Sequence, residues 1–374
     1  MARVTLAKVA IADSPGKAGA PLLDLEIPDR QLVVLTGPPG SGKSTLLRMI
    51  AGLNKISTGE IAIGEKKISN LPPQARDVAM IFANDSLYPH MTMRENIAFG
   101  LKRRRFAKSE IKKRVEDAAN VLGIAQYLER TPNEFDLAIR QRAAIARAVA
   151  RQPQVFLYDH ALANLEPGSR AELRNEVVKL HERMQTTTIF ATSDRREAMS
   201  IAETIVLLDE KGLQAVGTPR VLYEQPENMV VAKSLGDPPM NFIRGELKLD
   251  RGALQFSETE GGTIQINLSK IERLEIAQSL LGKSIFLGVR PEDIEVASSI
   301  GVKEASTGAS FRAIAEQVEP LGSETDISFN TGAHFGTCRN RGLLDRGAAG
   351  RRMEFVINLE KVCFFDQSAG KRII

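Results

Sequence analysis

One short segment constrains this chain more than any other. Gly37-Pro-Pro-Gly-Ser-Gly-Lys-Ser44 matches G-x-x-x-x-G-K-[ST], directly after the apolar run Gln31-Leu-Val-Val-Leu-Thr36 and directly before Thr45-Leu-Leu-Arg-Met-Ile50. A strand, a glycine turn and a helix in that order form a phosphate cradle. Glycines let successive N–H groups converge on one anion, and the helix N-terminus adds the positive end of its dipole. Pro38 and Pro39 donate no N–H, so the cradle depends on the amides from Gly40 onward. Gly37, Gly40, Ser41, Gly42, Lys43, Ser44 and Thr45 are therefore the candidate nucleotide-binding residues. Lys43 would reach the β- and γ-phosphates, and the Ser44 hydroxyl would ligate Mg²⁺. A carboxylate at the end of a neighbouring strand would complete the Mg²⁺ site, and Val155-Phe-Leu-Tyr-Asp159 supplies Asp159. Taken alone, Asp159 also reads as a cap of the following turn.

Short apolar runs alternate with helical stretches from Val4 to about Leu235, the pattern of an α/β domain. Gln31–Thr36, Val155–Tyr158 and Thr187–Ala191 read as buried strands. Ile111, Val115, Ala118 and Leu122 mark one helix face, and Leu173, Val177, Leu180 and Met184 another, each suited to cover one side of a sheet. Gly236-Asp-Pro-Pro-Met-Asn-Phe242 breaks this rhythm, because adjacent prolines continue neither a helix nor a central strand. The expected boundary lies there, giving domains 1–235 and 236–374. Beyond it, Ser284–Val289, Thr325–Phe329 and Glu354–Asn358 suggest a small antiparallel barrel or a pair of barrels. With 374 residues, two domains or at most three fit the usual ~100–200 residues per domain.

Composition removes several function classes. The 4 histidines are too few for a protein built on histidine metal clusters, and Cys338 and Cys363 form no C-x-x-C, against a zinc ribbon or a disulfide scaffold. A reducing compartment fits. A net charge of +4 over this length is too dilute to predict nucleic-acid binding. The basic run Lys102-Arg-Arg-Arg105 reads as a solvated loop face rather than a nucleic-acid or anionic-lipid site. Met1–Asp13 lacks the regions of a signal peptide, and no run of 18 apolar residues occurs, so no direct membrane insertion is expected.

The ordered segments together resemble the ATP-binding subunits of ABC transporters, specifically carbohydrate importers of the maltose and glycerol-3-phosphate type. The resemblance is carried by Gly37–Gly52, Arg76–Phe82, Leu87-Tyr-Pro-His-Met-Thr-Met-Arg-Glu-Asn-Ile-Ala-Phe-Gly-Leu101 and Arg140–Ala148. Gly217-Thr-Pro219, Gly236–Phe242 and Gly288–Ile294 extend it over essentially the whole chain. It implies an α/β P-loop NTPase of ABC type with a helical subdomain at about 86–150, plus a C-terminal all-β barrel domain resembling the oligosaccharide-binding (OB) fold. It further implies ATP and Mg²⁺ as cofactors, membrane-spanning permease subunits as partners, and a dimer with itself or a second ATP-binding subunit. The place implied is cytoplasmic, peripheral on the inner face of the cell membrane.

Departures from the family pattern fall on its chemistry. Val9-Ala-Ile-Ala-Asp13 lacks the aromatic residue that stacks on adenine, and Ala83 replaces the glutamine after Phe82. Phe135-Asp-Leu-Ala-Ile139 replaces the signature Leu-Ser-Gly-Gly-Gln, His160 the general-base glutamate, Ser193 the switch histidine, and Ala163-Asn-Leu-Glu166 a loop ending in aspartate. Leu137 and Ala138 add bulk where amides should face a phosphate, and Asp136 brings negative charge there. A missing general base costs about 10²–10⁴ in rate, and absent stacking ~1–3 kcal/mol. A neutral imidazole accepts a proton near pH 7, so His160 reads either as a substitute base or as a replacement in a site no longer built for turnover. The chain is expected to bind ATP–Mg²⁺ with impaired hydrolysis as an importer subunit. The alternative is a nucleotide-sensing regulatory pseudo-ATPase that does not itself power transport.

Overall fold

The computed structural model describes residues 2–10, 21–250, 253–259, 261–268, 281–299 and 308–373. The chain divides into two compact units, Met1–Arg220 and Val221–Ile374.

The first unit runs β1 (Val4–Ala10), β2 (Leu22–Ile27), β3 (Leu32–Thr36), α1 (Lys43–Ala51), β4 (Glu60–Ile63), β5 (Lys66–Lys67), β6 (Val78–Phe82), α2 (Met93–Arg103), α3 (Lys108–Val121) and α4 (Leu137–Ala150). It continues with β7 (Val155–Asp159), α5 (Pro167–Met184), β8 (Thr187–Ala191), α6 (Arg195–Ile201), β9 (Thr204–Asp209) and β10 (Gly212–Gly217). A six-stranded sheet has the order β10-β9-β3-β8-β7-β6, parallel except for β10 at its edge. A four-stranded antiparallel sheet has the order β2-β1-β4-β5.

Every residue of β3, β7 and β8 is buried, which is why their sequences are mostly apolar instead of alternating, with polar residues only at their ends. Helix α1 lies between the two sheets. Its Leu46, Leu47 and Ile50 share one core with Val33, Leu35, Leu157 and Ile189 of the parallel sheet and with Val4, Leu25 and Ile61 of the other. The marked helix faces are buried at Val115, Ala118 and Leu122 and at Leu173, Val177 and Leu180. The expectation that α3 covers a sheet is corrected, however: among the described residues α3 packs mainly on α2 and α4, and α4 in turn packs on the strand β6. Periodicity marks an apolar face but not what will cover it.

The second unit holds α8 (Met229–Ser234), following α7 (Pro219–Glu224), then β11 (Asn241–Asp250), β12 (Ala253–Glu258), β13 (Gln265–Asn267), β14 (Ser284–Val289) and β15 (Ile294–Val296). After these come β16 (Gly308–Pro320), β17 (Glu324–Asn330), β18 (Phe335–Arg341), β19 (Arg352–Asn358) and β20 (Cys363–Asp366). Two five-stranded antiparallel sheets, β13-β12-β11-β14-β20 and β15-β19-β16-β17-β18, close over a shared core in which Phe256, Ile285 and Phe364 meet Phe311, Phe329 and Phe355. Residues 221–235 are anchored here by the buried Arg290 guanidinium, which donates to the carbonyls of Ala232 (3.1 Å), Leu235 (2.5 Å) and Tyr223 (2.9 Å) and lies 3.8 Å from the Tyr223 ring centroid.

A polar node ties the two sheets together. Glu258 Oε1 accepts from His334 Nδ1 (2.7 Å) and from the Thr331 hydroxyl, and its Oε2 accepts from the Ile264 N–H (2.9 Å). His334 Nε2 accepts from the Arg244 N–H at 3.3 Å, which assigns the ring proton to Nδ1. Glu258→Ala would strand these donors in a buried site at about 1–3 kcal/mol per group. The expected result is an earlier melting transition of the C-terminal unit in a calorimetric scan, with partial recovery in Glu258→Gln.

Near the Arg290 anchor, burial, reinforced by Glu292 and opposed by Lys361 and Arg290, pushes the Asp293 carboxyl up to about 6. Its folded value lies above the unfolded one of ~3.9, so its contribution is fully present below pH ~4 and lost as pH rises through about 6. Asp293→Asn is expected to flatten that loss in denaturation curves recorded across this window.

Candidate functional site

The Gly37–Ser44 loop emerges from the carboxyl end of β3 and runs into α1. Gly37 has φ 141°, and a Cβ there would lie 1.9 Å from the Leu208 carbonyl oxygen on β9, so only glycine lets the loop pass that close. Gly42 enters α1 in the left-handed region at φ 87°. The Lys43 side chain curls back into the loop, donating to the carbonyls of Gly37 (2.9 Å) and Pro38 (2.8 Å) and to Ser41 Oγ (3.1 Å). Burial lowers its pKa, and Asp159 opposes the shift. The ammonium is thus held in place by neutral carbonyls that a phosphate oxygen, carrying full charge, would outcompete.

β7 lies beside β8, which lies beside β3, so the end of β7 delivers Asp159 to the start of α1. Ser44 Oγ donates to Asp159 Oδ1 at 2.6 Å, and Arg48 Nη2 stands 3.5 Å from Asp159 Oδ2. Asp159 is only 4% exposed. A buried carboxylate and a hydroxyl in direct contact are hard oxygen donors of the kind Mg²⁺ takes, alongside phosphate oxygens and waters. The pair fits the ion expected from the sequence.

His160 follows at φ 52°, its N–H bonded to the Ala191 carbonyl at 3.1 Å. Burial lowers the imidazole pKa, Asp159 opposing and Lys43 assisting, which favours the neutral ring. No carboxylate hydrogen bond orients it among the described residues. Ser193 is exposed on the loop after β8 and makes no hydrogen bond to the cradle among the described residues. Beside it, Thr192 bonds the Leu35 carbonyl through its N–H (3.0 Å) and the buried Glu197 through its hydroxyl (2.6 Å). The cradle, Asp159 and His160 therefore form one cluster, whereas Ser193 stands at its edge. Ile11–Asp13 of the stretch expected to face adenine lie outside the described residues.

The segment Phe135–Ile139 leads into α4. Asp136 is its N-cap, accepting from the Ile139 N–H at 2.9 Å. Its carboxylate thus occupies one of the amides that begin this helix, and an incoming anion would meet both charge repulsion and a used donor. Arg140 pairs with Asp85 at 2.8 Å, and the fully buried Gln141 donates to the Phe82 carbonyl at 2.8 Å, so α4 is tied to the segment following β6. The cap was legible as an aspartate three residues before Ile139 at the head of an apolar-periodic run. Arg48 and Gln141 lie inside segments that carry the resemblance but have no role there from sequence, and Glu197 lies in none of them; the contacts of all three come from packing between segments.

The family model described as "ABC transporter" matches residues 22–163, and that described as "MalK OB fold domain" matches residues 236–294. Over 350 residues the chain is 40% identical to the oligosaccharides import ATP-binding protein MsmX of Bacillus subtilis (strain 168), covering 94% of this chain and 93% of that protein. Over 351 residues it is 38% identical to the sulfoquinovosyl glycerol transport ATP-binding protein SmoE of Agrobacterium fabrum (strain C58), covering 94% of each. Among solved structures, cbiO1 from Clostridium perfringens, part of the ABC transporter complex cbiONQ, superposes with a TM-score of 0.55 at 22% identity. That likeness covers 59% of this chain and 90% of cbiO1, and it bears on the fold alone.

Lys43→Ala removes the charged donor aimed into the cradle. At ~1.5–3 kcal/mol for a charge-assisted hydrogen bond, affinity for a fluorescent ATP analogue is expected to fall about 10- to 100-fold in equilibrium titration. Gly37→Ala is expected to lower the melting temperature through its clash with Leu208.

Proposed function

The chain belongs to the ABC transporter family of ATP-binding subunits, and we propose that it serves a carbohydrate importer, binding ATP–Mg²⁺ through its cradle while hydrolysing ATP slowly. The importer reading is supported by the names of the relatives, which import oligosaccharides or transport sulfoquinovosyl glycerol, and by likeness along almost the full chain. One contrast within the site carries the slow-hydrolysis reading. Lys43, Ser44 and Asp159 stand assembled, yet no carboxylate stands at position 160 and Asp136 closes the N-terminus of α4.

In this reading the amides from Gly40 to Thr45 and the Lys43 ammonium bind the phosphates, while Ser44 and Asp159 hold the metal. The bound Mg²⁺ would supply charge neutralisation between phosphate oxygens. Water activation then falls to His160, whose neutral ring can accept a proton but has no partner fixing its direction. Neither Ser193 nor Ala83 can serve as a base.

A cleft of about 920 Å³ between β6, α2 and α4 supports docking on permease subunits. Phe82, Tyr88 and Phe99 give it apolar surface, and Arg103, Arg147 and Arg151 give it positive charge. The Tyr88–Thr92 stretch beside it is held by the fully buried Asn96. Its amide accepts from the Tyr88 N–H (2.7 Å) and donates to the carbonyls of Tyr88 (3.0 Å), Met91 (3.2 Å) and Thr92 (3.0 Å). Among the described residues no helix is long and apolar enough to cross a membrane. A peripheral position on the inner membrane face, through permease contact and a dimer with itself or a second ATP-binding subunit, accords with this.

The test measures ATP binding and phosphate release for the protein alone and with candidate permease and ATP-binding partners, beside Lys43→Ala. Binding with little release is expected. Release at a transporter-like rate that vanishes in Lys43→Ala would overturn the slow-hydrolysis reading, and binding without permease association would favour the regulatory one. Combining Ala83→Gln, His160→Glu and Ser193→His with Leu-Ser-Gly-Gly-Gln in place of Phe135–Ile139 is expected to raise release by about 10²–10⁴.

A further inference from the structure

A second groove, of about 790 Å³, runs between α2 and α3 and is separate from the cleft on the other side of α2. Its floor is apolar, with Ala98 and Val115 buried and Phe106 and Ile111 half-buried. The charges on its rim are divided. At one end Arg94 is neutralised by Glu129 (2.6 Å) and Glu116 (3.7 Å). Toward the other, Lys102, Lys108 and Lys112 are exposed, and among the described residues their ammonium groups make no ion pair or hydrogen bond. Two nearby arginines are paired, Arg114 with Glu110 at 2.6 Å and Arg130 with Glu134 at 2.9 Å. Positive charge without an ion pair thus stands beside half-buried apolar surface at Ile111 and at Phe106, whose ring carries the Arg114 guanidinium 4.6 Å from its centroid.

The geometry points to this groove as the docking site for an acidic amphipathic segment of a partner protein, its apolar side chains seated on Phe106 and Ile111 and its carboxylates meeting Lys102, Lys108 and Lys112. Charge complementarity selects the occupant's sign, and the recessed floor selects a segment with protruding side chains over a flat bilayer surface. Helix α2 gives Ala98 and Lys102 to this groove and Phe99 and Arg103 to the cleft, so an occupant would bear on the helix that faces the permease. That coupling rests on the permease-docking reading; the binding itself does not.

The test uses the full chain and a fluorescein-labelled peptide of about three helical turns with leucines at i, i+3, i+4 and glutamates elsewhere. Fluorescence anisotropy is expected to show binding that weakens as salt is raised from ~0.05 to ~0.5 M. It should weaken at least about tenfold in Lys108→Glu/Lys112→Glu, with ATP-analogue binding unchanged as a check on folding. Lys179→Glu, on the exposed face of α5, is the control for net charge and should bind the peptide as the unmodified chain does. Equal binding by the double variant, equal binding of a peptide with serines in place of the leucines, or Lys108/Lys112-dependent binding to phosphatidylglycerol vesicles without peptide binding would each overturn the proposal.

Discussion

The placement of β8 between β3 and β7 is the constraint on which the rest of the site depends. Parallel pairing makes all three strands end on the same edge, so the loop leaving β3 and the aspartate ending β7 arrive together although Ser44 and Asp159 are 115 residues apart in sequence. The 2.6 Å hydrogen bond between them is the local result. The uniform burial of these strands holds the geometry, because shifting any one of them would expose a mostly apolar segment and bury its polar end elsewhere. The same edge carries His160, tied to Ala191, and Thr192, tied to Leu35, so the residues that follow β7 and β8 are braced by the sheet.

Within this scaffold the features built from backbone and those built from side chains separate cleanly. Backbone makes the glycine passing under Leu208, the left-handed entry into α1 and the carbonyl cage around Lys43. Particular side chains stand at the ends of elements: His160 after β7, Ser193 after β8 and Asp136 at the head of α4. A side chain at the end of an element can change without disturbing the core, so chemistry there varies independently of the fold. Asp136 shows how the same residue serves stability and opposes phosphate: the carboxylate that satisfies the Ile139 amide is the charge that would repel an anion.

Legibility followed the range of the interaction involved. The strands β3, β7 and β8 were readable as apolar runs, and the helix faces at Val115–Leu122 and Leu173–Leu180 as periodicity, since both patterns record burial within a few turns of chain. The partner of α3 was not readable, because an apolar stripe fits another helix as well as a sheet. Nor was the node joining Glu258, Thr331, His334 and Arg244, whose members come from separate strands and turns of the barrel. Asn96 carries no signal in the sequence beyond being polar, yet it is fully buried and satisfies much of the loop that precedes it.

The sequence by itself determined the cradle, since a glycine–lysine motif between a strand and a helix admits few other backbone paths, and it determined which side chains are absent from positions 83, 160 and 193. Tertiary structure alone decided that Asp159 meets Ser44, that α2 carries different surfaces on two sides, and that the lysines at 102, 108 and 112 stand beside half-buried apolar surface. The physical reason is the same in each case. Local motifs encode the conformation of their own backbone, whereas contacts between segments depend on strand order and helix packing, which no single stretch of the chain specifies.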